Sequence, residues 1–123
     1  MFFRRKLRRQ RVYLSTVAGR IGARDGVILK DEFSGGKGAN GPLTLGVVSL
    51  RKGDNVDVLR SQIDAAVAAG YAEPPTRRSS NGAGFVRNPG LPMLILETYA
   101  AGSVIPLHGE VPAGQTGVVV SMT

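Results

Sequence analysis

The sequence predicts a mainly β protein: a small antiparallel sandwich or barrel with one α-helix at about residues 55–69 and a basic N-terminal arm. Three observations lead there. Six or seven short apolar, β-branched runs are separated by Gly- and Pro-rich turns. A single segment has a helical repeat with both of its ends marked. Strands and helices do not alternate, which argues against a parallel sheet. At 123 residues the chain suits one domain, divided here into the arm (1–11) and a β-rich body (12–123). Glycine and proline together make 24 residues, enough for many turns but short of the share that implies low-complexity disorder.

The arm comes first. Arg4, Arg5, Lys6, Arg8, Arg9 and Arg11 put six cations into the first eleven residues, and no acid appears before Asp25. The whole chain carries 16 Lys and Arg against 9 Asp and Glu, so the body without the arm is nearly neutral. Arg11–Ala18 (RVYLSTVA) is β-branched and aromatic enough to read as a strand, and Gly26–Lys30 as a second. Ser34–Pro42 holds four glycines and a proline and reads as a loop. Leu43–Leu50 is apolar almost throughout, as a strand buried on both faces would be.

The helix is expected over Asn55–Ala69. Asp54 serves as its cap, Asp57 stands at the third helical position, and Gly70 is its stop. Val56, Leu59, Ile63 and Val67 recur at three- and four-residue spacing and define its buried face. Residues 73–92 form a long Pro/Gly/Arg loop, interrupted by a short strand around Gly84–Arg87. Met93–Tyr99, Val104–Leu107 and Gly117–Met122 are the remaining strands.

Little in the chain points to catalysis. With no cysteine there is no disulfide, no thiolate nucleophile and no Cys-held metal. His108 is the single histidine and has no Gly-x-Ser-x-Gly elbow to work with. The protein is therefore expected to be no enzyme and to use no cofactor and no metal. Gly35-Gly36-Lys37-Gly38 lacks both the spacing of a phosphate loop and a helix starting behind it. Gly82–Val86 matches part of an RNA-recognition signature, but Asn81, Ala83 and Asn88 stand where its cation and aromatics belong.

The sequence places its contacts elsewhere. The arm's six cations suit phosphates or carboxylates, and five arginines favour bidentate contacts. Phe2 and Phe3, with Arg77, Arg78, Phe85 and Arg87 of the long loop, are candidates for an interface with a neighbouring chain. An aromatic tip on an Arg-rich segment also has the look of a peripheral membrane anchor. The Arg-rich start through Arg24 has a transit-peptide composition, whereas Ser15 and Thr16 break the apolar stretch a secretory signal needs. No apolar run is long enough to span a bilayer as a helix.

The arm (RRKLRRQR), the compact Gly-rich β body, the connection EPPTRRSSNGAGFVRNPG and the absence of cysteine together resemble the small structural proteins of virus particles, bacteriophages above all. The resemblance implies a capsid, cement or connector component of the virion. Such a protein is a homo-oligomer that joins neighbouring subunits through its arm and long loop, with nucleic acid as a further partner of the arm. The alternative is a cytoplasmic protein that binds nucleic acid without sequence specificity through the same arginines.

Overall fold

The computed structural model describes residues 2–36 and 41–123, with side chains from Arg5 onward. The chain is mainly β with two helices: α1 (Phe2–Arg20), β1 (Val27–Ser34), β2 (Thr44–Lys52), α2 (Asn55–Ala68), β3 (Arg77–Ser79), β4 (Gly82–Phe85), β5 (Leu94–Tyr99), β6 (Val104–Ile105), β7 (Gly109–Glu110) and β8 (Gln115–Met122). Six strands form one antiparallel sheet in the order β1-β2-β8-β5-β4-β3, and β6 and β7 form a separate hairpin. The large sheet is open, with β1 and β3 as its edges, so the expected closure into a barrel or sandwich is not what these strands form.

The larger correction concerns the N-terminus. The strand expected over Arg11–Ala18 is not present; α1 runs through it and through residues 2–11 of the basic arm. Leu7, Leu14, Val17, Ala18 and Ile21 recur at helical spacing, and the last four are buried. That tertiary burial outweighs the β-propensity of Val12, Tyr13 and Thr16. The helix then stops at Gly22, whose φ of 66° suits glycine. Two closing hydrogen bonds, Ala23 N to Ala18 O (3.0 Å) and Gly22 N to Gly19 O (3.3 Å), make the stop a Schellman motif.

Helix α2 ends the same way. Gly70 has a φ of 112°. Tyr71 N donates to Ala66 O (3.1 Å) and Gly70 N to Val67 O (3.0 Å). At its start the Asp54 carboxylate accepts from Asp57 N at 2.9 Å, as the sequence predicts. Its buried face is Val58, Leu59, Gln62, Ile63 and Ala66, which keeps Leu59 and Ile63 of the predicted stripe. Val56 is exposed, because the face that meets the sheet is turned away from it, and Val67 packs half-buried at the edge of the core.

Both helices cover one face of the sheet. Leu45 and Val47 of β2, Val118, Val120 and Met122 of β8, and Leu94 and Leu96 of β5 meet them there. On the opposite face Val48, with the partly buried Leu50, Val119 and Tyr99, is covered by Ile105 and Val111 of the hairpin. Strand β2 is thus buried on both faces, as its composition suggests. Gly117 of β8 is what lets the hairpin approach, since a Cβ there would collide with the Ile105 side chain. The long loop 73–92 is interrupted by a hairpin: β3 pairs with β4 and β4 with β5, so the short strand expected around Gly84–Arg87 is present two residues earlier and has a second strand beside it.

A candidate polyanion-binding surface on helix α1

The sequence gives α1 two halves with different tasks. From Leu14 to Ile21 it is locked to the body. Arg24 donates to the Ser15 carbonyl and to its Oγ, each at 3.1 Å, and pairs with Asp31 of β1 at 2.7 Å. Arg51 of β2 donates to the carbonyls of Gly22 (3.0 Å) and Ala23 (3.3 Å), just beyond the helix end. Burial lowers the Arg51 pKa, and Asp25 opposes that shift. These two arginines hold the helix in place.

The first half of α1 carries the cations. Arg5, Arg8 and Arg9 are exposed, and Val12, Thr16 and Arg20 continue the same outward side. From Arg5 to Arg20 this ridge runs about 22 Å at the rise of an α-helix. Arg11 turns inward enough to lie 5.7 Å above the Phe33 ring. Among the described residues the ion pairs are Arg24–Asp31 and Lys30–Glu32, and neither draws on the cations of the first half. The side chains of Phe2, Phe3 and Arg4, and Lys37-Gly38 of the Gly-rich loop, lie outside the described residues.

The remaining predicted contact residues separate. Arg87 is brought to α1, where it and Lys6 flank a groove of about 720 Å³ floored by Leu7, Leu14, Leu43 and Leu91. Its Nη2 donates to Thr123 O at 3.0 Å. Arg77 and Arg78 are exposed on the edge strand β3 and line no part of that groove. Phe85 is not available to a neighbour: it is buried, with its ring centroid 5.2 Å from that of Tyr71. Sequence reasoning missed the groove and the roles of Arg24 and Arg51, since all three depend on long-range packing. One local signal was there to find, the helical spacing from Leu7 to Ile21.

His108 lies half-buried in the turn of the β6–β7 hairpin, its main-chain N–H donating to Ile105 O at 2.9 Å. No group of three or more His, Asp or Glu side chains is placed to hold a metal ion among the described residues. No described helix is long and apolar enough to cross a membrane. Comparison with known protein families, with characterised proteins and with solved structures gave no match of any of the three kinds.

Proposed function

We propose that this protein is a non-enzymatic assembly protein, a virion component by its organisation, that grips a polyanionic partner with the outer side of α1. One observation carries the reading: the cations of α1 are arranged against the helix's own electrostatics. They crowd its N-terminal half, where the macrodipole is positive and where α1 has no acid in its first turn. Arg4–Arg8 and Arg5–Arg9 are like charges four residues apart, a spacing that weakens an isolated helix by a few tenths of a kcal/mol per pair. A bound row of phosphates or carboxylates relieves both costs. Because the second half is anchored, the cations are presented at fixed spacing rather than on a loose tail.

A second reading is favoured by the exposure of Arg5, Arg8 and Arg9, which no other described element covers. In it the protein acts as a monomer that binds nucleic acid without sequence preference. The test for both is binding to single-stranded DNA across a salt series, followed by light scattering of free and bound protein. The reading expects log affinity to fall with log salt by about 0.7 for each phosphate contacted. It also expects Arg5→Gln, Arg8→Gln, Arg9→Gln in combination to weaken binding at least tenfold. Binding that ignores salt, or a triple variant equal to the parent, overturns the cationic ridge. A discrete oligomer before DNA is added supports assembly, and a monomer that changes mass only with DNA supports the second reading.

A further inference from the structure

We infer that copies of this chain join head to tail, the β6–β7 hairpin of one copy placing Leu107 in the groove beneath α1 of the next. The inference rests on the assembly reading above and names its contact.

Leu107 is unusual on two counts. It is the one non-glycine residue with positive φ among those described, at 68°, and its exposure is 100%. The left-handed region is costly for a leucine, so this turn holds an apolar side chain in open water at the expense of its own backbone. Such outliers persist where surrounding structure enforces them, and they concentrate at sites of contact. Here the enforcement is visible. Ile105 and Val111, on either side of the turn, are 2% and 1% exposed against the sheet, so the tip is held rather than loose. Val104 beside it is also exposed, at 63%. The hairpin therefore offers a rigid apolar knob, and its acid, Glu110, lies directly across from Val104 in the ladder.

The groove has the matching character. Its floor is leucine and proline, its volume of about 720 Å³ takes a leucine with its flanking backbone, and its flanks carry Lys6 and Arg87. An apolar knob with an acid faces an apolar slot with two cations. Placement decides how the pair is used. The groove is at the end of the sheet marked by Leu43, Pro92 and Thr123, on the helix side. The hairpin lies over Gly117 and Leu50 towards the other end, on the opposite face. Knob and slot are therefore different surfaces, so the contact is heterologous and repeats into a ring or an open filament rather than closing as a simple dimer.

The experiment uses the full chain, at a salt concentration that removes polyanion binding. Light scattering over a concentration series is expected to show species larger than a dimer. Leu107→Gly removes the knob and relieves the backbone, so it should unfold no earlier than the parent. It should also raise the concentration needed for half-association about ten- to a hundredfold, the factor that burying one leucine is worth. Leu7→Asp, checked for unchanged circular dichroism, blocks the slot and should have the same effect. Mixing the two variants leaves one intact knob and one intact slot, so the mixture should stop at a one-to-one heterodimer. A second route avoids the core altogether: Arg87→Glu should weaken association and Glu110→Arg added to it should restore it.

A parent that stays monomeric at every soluble concentration, or a Leu107→Gly variant that assembles like the parent, overturns the inference. So does a mixture with no heterodimer. The polyanion reading fails separately. Leu107→Gly should still bind DNA, and the triple arginine variant should still assemble.

Discussion

The Tyr71 hydroxyl donates to the main-chain carbonyl of Pro92 across 2.8 Å of protein interior. This bond ties the residue that closes α2 to the turn that opens β5, and Pro92 in turn helps line the groove under α1. Tyr71→Phe keeps the ring against Phe85 and removes only the donor. It should lower stability by about 1–2 kcal/mol, because a buried carbonyl is left without its partner. Urea unfolding at neutral pH measures the loss; an unchanged midpoint would mean that solvent reaches Pro92.

The same hydroxyl sets an alkaline limit. Burial, with a smaller contribution from Tyr13, pushes the Tyr71 pKa far above its ordinary value. The folded protein thus keeps a proton that the unfolded chain gives up near pH 10. The stabilisation is complete below that pH and declines as pH rises above it, by at most about 1.4 kcal/mol per pH unit. Tyr71→Phe should flatten the decline without abolishing it, since burial also raises Tyr13 and Tyr99. Unfolding midpoints on either side of pH 10 test this, and identical slopes for the two proteins would contradict it.

Gly117→Ala should lift the β6–β7 hairpin. The new methyl group meets the Ile105 side chain and comes within 3.2 Å of Val111 Cγ2, against a core with no slack. A loss of about 1–3 kcal/mol is expected for overpacking of this kind. Adding Ile105→Val should recover part of it, so the double variant should lose less than the two single losses combined. Strict additivity in thermal unfolding would show that the hairpin tolerates the methyl by another route.

Truncations should divide α1 at its change of role. Deleting residues 1–11 removes the cations but leaves Leu14, Val17, Ala18 and Ile21, so the body should still unfold cooperatively while DNA binding is lost. Deleting residues 1–20 strips one helix from the sheet and should leave no cooperative transition. Circular dichroism on both truncations decides. A shorter truncation that fails to fold would assign Leu7, which lines the groove with Leu43, a much larger share of stability than its half-burial suggests.

Helix α2 was readable because every signal was local: the Asp54 cap, the apolar repeat and the Gly70 stop lie within seventeen residues. Only the orientation of its face was misjudged, since Val58 and Ala66 complete a stripe that Val56 does not join. Helix α1 was hidden by competing signals. Its basic start reads as a tail, and Val12, Tyr13 and Thr16 read as a strand, while the spacing of Leu14, Val17, Ala18 and Ile21 matters only once a sheet lies beneath it. Strand β4 was read two residues late, around Gly84–Arg87, for the opposite reason. Gly82, Ala83 and Gly84 have almost no strand preference of their own, and β5 supplies the pairing. The cations of the candidate surface were evident from composition, but their rigid presentation was not.

Strand β8 lies between β2 and β5, pairing Met122 with Leu45 on one side and with Leu94 on the other. Those two strands share no edge with each other. A ribosome that has made β1 through β5 has therefore built two half-sheets with nothing to join them. The inner edges of β2 and β5 stay unpaired until Gln115–Met122 emerges. Closure then spans about seventy residues of intervening chain, a loop that slows folding much more than it weakens the product. Nascent chains of this protein should accordingly be open to edge-to-edge pairing until β8 has emerged, and a stop codon placed before Val118 should yield aggregate rather than a smaller domain.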